Sequence, residues 1–147
     1  MTDPWNGMAG RWEGEERICA TRWGPAGQAH GLIDARFDWD ARVLLQDYRQ
    51  QRDGQVALQA HAVFVAEPEG RVLLYWFDSY GFVPQEPAAG AWQDGSLVIV
   101  RRSPRGQTQH RYTPLDAQRF RLELASSFDA GASWEPVMAA DYRRVRD

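Results

Sequence analysis

Apolar and polar residues alternate along most of this chain with a period of two, the spacing of a half-buried β-strand. The clearest case is 119–128, where Phe120, Leu122 and Leu124 alternate with Arg119, Arg121 and Glu123, one side apolar and the other wet. The run 55–66 alternates less sharply: Val56, Leu58, Ala60, Ala62 and Phe64 stand against Gln59, His61 and Val63. Strand-like runs recur about every dozen residues between turn signals, at 11–21, 28–39, 42–52, 55–66, 71–79, 96–102, 107–113, 119–128 and 133–144. Residues 80–90 are looser, because Pro84 and Pro87 each remove a ladder donor, and a short strand follows at 91–93. Asp53-Gly54 and Asp94-Gly95 are two-residue hairpin signals. Asp3 before Pro4 predicts a capped helical turn that Gly7 and Gly10 stop early, packed over one end of the fold.

About ten strands joined by short turns leave no room for parallel crossovers, so the pairing is antiparallel and sequential. An open sheet of that width would carry two unprotected edges, and closure removes them. The expected fold is an all-β, up-and-down antiparallel β-barrel in a single domain over 1–147, with a β-sandwich as the alternative. No fixed-period repeat suggests a propeller or a solenoid.

Parity then assigns faces. On the first strand an inward Trp12 takes Gly14, Glu16 and Ile18 inward and leaves Glu13, Glu15 and Arg17 in solvent. A buried Glu16 is costly unless paired or hydrated. The strand therefore implies a wet interior, an Arg partner, or a bulge that reverses the parity. The fifth strand, Val72-Leu73-Leu74-Tyr75-Trp76-Phe77, is apolar on both sides, which calls for a terminal plug, a dimer contact or a filled cavity.

Composition changes this picture little. Hydrophobic residues are 44% and charged residues 25% of the chain, ordinary for a globular domain. The net charge of −3 gives no bulk case for nucleic acid, and all 17 basic residues are Arg. The 7 Trp, 5 Tyr and 6 Phe suit pleated surfaces, cores and ligand cavities alike. The lone Cys19 excludes an intramolecular disulfide. The first residues lack the basic and apolar regions of a secretory signal, and the apolar run 72–77 is far too short to span a bilayer. No membrane association and a cytoplasmic location are the expectations.

Gly10-x-Trp12 on the opening strand, with an Arg near the end of the last, resembles the signature of the calycin barrels: lipocalins, fatty-acid-binding proteins and nitrobindins. The resemblance implies that Trp12 closes the barrel floor and that Arg143 or Arg144 packs across it. Arg144 is favoured, because it shares parity with Trp134, Met138 and Tyr142. Gly10-Arg11-Trp12-Glu13-Gly14, Tyr75-Trp76-Phe77-Asp78-Ser79, Ser133-Trp134-Glu135 and Tyr142-Arg143-Arg144 also resemble a bacterial family of uncharacterised lipocalin-like domains. That likeness implies a fold and no activity. The chain departs from its relatives in lacking a lipocalin disulfide, a helical lid and a late His such as nitrobindin-like haem binding needs, so no cofactor is expected. Ser127-Phe128-Asp129-Ala130-Gly131-Ala132-Ser133-Trp134 resembles the Asp-box hairpin, a turn stabiliser.

Candidate chemistry is sparse. His30, His61 and His110 show no metal-ligand spacing, although His61 and His110 lie mid-strand beside apolar or aromatic neighbours. Asp34, Asp38 and Asp40 lack the Gly and closing Glu of a calcium loop. No Ser sits in a nucleophile elbow and no phosphate loop opens a helix. Asp78, after Trp76 at the end of the most apolar strand, is placed either to orient a ligand or act as a base, or to cap a turn.

Three readings follow, in order. The first is a binding barrel for a small hydrophobic or amphipathic ligand, with Glu16, Arg36, Tyr48, His61, Trp76 and Asp78 as cavity candidates. The second is an enzyme using Asp78 or His61 as acid/base. The third is a structural module that pairs as a homodimer through the fifth strand.

Overall fold

The computed structural model describes residues 4–81 and 83–145. A 3-10 turn (Pro4–Met8) precedes ten strands: β1 (Gly10–Ile18), β2 (Gly27–Asp38), β3 (Val43–Arg52), β4 (Gln55–Ala66), β5 (Arg71–Asp78), β6 (Ala88–Gln93), β7 (Ser96–Ser103), β8 (Gly106–Asp116), β9 (Arg119–Ser127) and β10 (Glu135–Arg144). Each strand pairs antiparallel with the next, and β10 returns to β1 from Trp12↔Arg144 to Ile18↔Met138, so the barrel closes. The sequential alternation predicts this architecture, and the sandwich is excluded. Asp3, expected to cap the first turn, lies outside the described residues.

Turn chemistry sets the registers. At Asp53-Gly54 and Asp94-Gly95 both central residues take positive φ (52° and 76°; 49° and 83°), the left-handed pair that suits a two-residue hairpin. Pro114 and Pro136 sit beside register shifts on β8 and β10, where a missing N–H is tolerated. β1 ends three residues earlier than its strand-like run, ahead of a turn in which Thr21 and Gly24 pair, and β10 starts two later, because residues 127–134 form their own hydrogen-bonded loop. There Asp129 accepts from the Ser127 and Ser133 hydroxyls and from the Ser133 N–H.

Parity is as the sequence predicts. Trp12, Gly14 and Glu16 point inward without a bulge, and Ala60, Ala62 and Phe64 do so on β4. On β5 the inner side, Val72, Leu74 and Trp76, is buried, while Tyr75 and Phe77 are exposed on the outer side.

One end of the barrel, here the floor, is closed by Trp12. The Arg144 guanidinium lies 4.2 Å from the indole centroid. Its Nη1 donates to the Ala9 carbonyl at 2.7 Å, and its Nη2 to that of Gly7 at 3.3 Å. Stacking uses the π face while the in-plane donors reach backbone. The first 3-10 turn is pinned under the same end by Trp5, whose indole donates to Ala41 O at 2.7 Å.

Candidate functional site

At mid-height the interior is filled by polar side chains rather than by a lumen. Glu16 is fully buried, and its carboxylate accepts hydrogen bonds from the Tyr48 hydroxyl (2.7 Å to Oε2), the Gln50 amide (2.9 Å) and the Tyr142 hydroxyl. Of the three alternatives for an inward Glu16, neither an Arg nor a bulge applies, and two tyrosines and a glutamine do the work. Three donors to one carboxylate offset a desolvation cost of several kcal/mol. Space for the cluster comes from glycine. Tyr142, Gly14, Gly31 and Gln50 form one cross-strand row. A β-carbon on Gly14 would strike the Tyr142 ring, and one on Gly31 would strike the Glu16 carboxylate. Burial, and then the charge of Glu16, push the Tyr48 and Tyr142 hydroxyls well above the ordinary tyrosine range.

A second buried cluster lies beside the first. Trp76 stands with its ring 6.3 Å from Tyr48 and 5.5 Å, edge-on, from His110. The Arg101 guanidinium lies 5.0 Å from the Trp76 centroid, and Arg101 Nε donates to His110 Nε2 at 2.8 Å. With Nε2 accepting, the ring proton of His110 sits on Nδ1, 3.3 Å from the Tyr112 hydroxyl. Burial, and secondarily Arg101, hold His110 well below its ordinary pKa, so the imidazole is neutral. Asp78 accepts from the Trp76 indole at 2.9 Å and from the Tyr80 N–H at 3.1 Å, so it both orients the ring and caps the turn.

The route from solvent to this cluster is a gap in the wall. β5 pairs with β6 only as far as Leu74↔Ala88, while β7 continues to Ser103. Above that row no strand among the described residues bridges β5 and β7, and residues 83–87, with Pro84 and Pro87, lie beside the gap instead. The opening is a cavity of about 520 Å³ lined by Leu74, Trp76, Ala88, Arg101 and the loop, including Pro84 and Pro87. The prolines read as ladder breakers in the sequence thus leave a lateral window onto Trp76 and Arg101.

The structure brings Glu16, Tyr48, Trp76 and Asp78 into one connected set and leaves two candidates out of it. Arg36 is exposed on the outer face of β2, because Ala35 and Phe37 take the inward parity there. His61 also faces outward, its side chain 81% exposed and its Nδ1 2.7 Å from Asp47, so it has no access to the interior. The interior histidine is His110. Parity was the missed signal: Leu97, Ile99 and Arg101 share a face on β7, and Leu44, Gln46, Tyr48 and Gln50 share one on β3. Polar residues on those inward positions mark Arg101, Gln46 and Gln50 as interior groups.

Among the described residues no group of His, Cys, Asp and Glu is placed to hold a metal ion, and no helix is long and apolar enough to cross a membrane. No protein-family model matches the chain, and no curated protein matches it in sequence. Solved structures match it in three dimensions. The S-type phycobiliprotein lyase CPES of Guillardia theta superposes with a TM-score of 0.71 over 97% of this chain and 91% of its own, at 10% identity. Rv2717c of M. tuberculosis gives 0.76 over 97% and 96%, at 13% identity. A protein of unknown function from the DUF3598 family of Nostoc punctiforme gives 0.65 over 96% of this chain and 49% of its own, at 13% identity. At these identities the likeness is one of architecture: the chain is a closed antiparallel barrel of lipocalin-like fold, with ten strands among the described residues.

Proposed function

We propose that this barrel binds a small, partly apolar ligand through the window between β5 and β7. The observation that carries the reading is the composition of that opening. A nearly buried indole, Trp76, and the Arg101 guanidinium beside it line the opening, and Asp78, outside the lining, orients the indole by accepting from its N–H. An aromatic wall with a few fixed polar groups is the usual make-up of a small-molecule site, and its volume lies within the usual range. Arg101 is held against Trp76 and His110, so its position is set before any ligand arrives, which lowers the cost of ordering on binding. An enzyme reading is weaker. His61 is on the outside, and the oxygens of Asp78 are engaged by the Trp76 indole and a turn amide. The likeness to other barrels supports the fold, and the reading of function rests on this chain's own residues.

The test is titration with anilinonaphthalene sulfonate, a planar, partly apolar anion whose fluorescence rises on burial. Saturable binding to the wild type is expected, weakened about tenfold by Trp76→Ala and by Arg101→Gln, which corresponds to about 1.4 kcal/mol each. Absence of saturable binding to the wild type, or wild-type affinity in both variants, would overturn the proposal.

A further inference from the structure

A second cavity lies at the opposite end of the barrel. It encloses about 310 Å³ beside the floor, between Trp12, Ile33, Gln46, Tyr112 and Phe120, and its exposed lining residues are Gly7, Pro114, Asp116, Ala117 and Arg119. It shares no lining residue with the window. Its walls are mostly apolar; the polar side chains among them are Gln46 and, at the rim, Asp116, Arg119 and Arg144.

Gln46 is 6% exposed, yet among the described residues its side-chain amide makes no hydrogen bond. No described side-chain polar atom is both sealed from space and unpartnered. The Gln46 amide therefore opens onto the cavity it lines. Its row in the barrel explains the room around it: Ala35 and Ala62, both buried, flank it on β2 and β4. Two small side chains beside an inward glutamine leave a hollow where larger residues would have met across the barrel. An amide held at the wall of a mostly apolar cavity with no protein partner leaves its donor and its acceptor for a guest to pair with.

We infer that this cavity is a separate binding site for a neutral, mainly apolar molecule that presents a hydrogen-bond donor and acceptor side by side, as a lactam or carboxamide does. A primary amide offers one N–H and one C=O in a plane, and a lactam returns the complementary pair. Charge is not what the site reads. The Arg144 guanidinium is stacked on Trp12 and bonded to backbone carbonyls, and Arg119 is paired with Asp116 at 3.0 Å. Size sets the rest. A cavity of about 150 Å³ accepts benzene, so twice that volume suits two fused rings.

The experiment is calorimetric titration of the full chain with three probes: quinolinone, a fused bicyclic lactam; naphthalene, its apolar analogue; and naphthoate, its anionic one. In the wild type quinolinone is expected to bind at least about tenfold more tightly than either of the others, the value of one or two hydrogen bonds. In Gln46→Leu, whose fold is checked by circular dichroism, the preference for quinolinone over naphthalene is expected to vanish. Failure of quinolinone to bind, equal affinity for naphthalene, tighter binding of naphthoate, or a preference that survives Gln46→Leu would each overturn the inference. Because the window and this cavity have no residue in common, Trp76→Ala is expected to leave quinolinone affinity unchanged, and loss of binding there would assign the probe to the window instead.

Discussion

The guanidinium of Arg144 occupies the space that a β-carbon on Gly10 would fill, and Gly10 itself has φ of +134°. The glycine and the arginine of the opening-strand pattern are thus one device. The backbone at residue 10 is bare so that the last strand can lay its cation across Trp12. Gly10→Ala is expected to lower unfolding free energy by about 2–4 kcal/mol, combining backbone strain with loss of the stack. Arg144→Lys, which keeps the charge and loses the planar fork, is expected to cost about 1–2 kcal/mol. Urea denaturation of both variants measures these values.

The mid-height cluster makes a second expectation. Tyr142→Phe removes one of the donors to the Glu16 carboxylate and is expected to cost about 1–3 kcal/mol. Glu16→Leu strands the Tyr48, Gln50 and Tyr142 donors together and is expected to cost about 3–5 kcal/mol. The two changes combined should cost less than their sum, because the Phe no longer leaves a hydroxyl unpaired. A double-mutant cycle reads that non-additivity directly.

Acid sensitivity should come in two windows. His110 is held well below 6.5 when folded, so between 6.5 and its folded pKa the unfolded chain binds a proton the native chain does not. Stability is therefore full above about pH 6.5 and declines as the pH falls from there. Leu at position 110 should remove this first decline. Asp129 is lowered from 3.8 to about 2, chiefly by the Ser133 hydroxyl, and Asp141 is also lowered, chiefly by its hydrogen bond from Arg121. Their contribution is present above about pH 3.8 and is lost below it. Chemical denaturation across the acid range separates the two steps.

On the outer face of β5, Tyr75 and Phe77 are 37% and 43% exposed. Contact between two copies through this face is the proposal that the doubly apolar strand suggests. Sedimentation velocity at micromolar concentration is expected to show a dimer for the wild type and a monomer for Phe77→Glu. Folding stability should change by no more than about 0.5 kcal/mol, since the side chain lies outside the core. A wild-type monomer would remove the proposal.

The barrel itself was legible because alternation and turn chemistry act locally. Asp53-Gly54 and Asp94-Gly95 fix their hairpins whatever surrounds them, and the parity of Phe120, Leu122 and Leu124 needs no partner to be read. Trp12 and Arg144 were legible as a pair for the same reason, since each lies at a defined end of its strand. The site was less so. Residue type, and for His61 its apolar neighbours, suggest Arg36 and His61 as cavity groups, whereas the side that each faces is set by parity with Ala35 and Ala60. The pairing of Glu16 with Tyr142 joins positions 126 residues apart in sequence. That contact follows from the closing register, which no local pattern contains. Gln46 was missed because an inward amide between two alanines has meaning only once Ala35 and Ala62 are known to flank it.

One imidazole stands between the two hollows: His110 stacks on Tyr112, which lines the floor cavity, and meets Trp76 and Arg101, which line the window. No residue lines both, so a guest in one touches nothing that a guest in the other touches. The short path for any influence between them is that ring, since a shift of the Tyr112 phenol reaches the Arg101 guanidinium through His110.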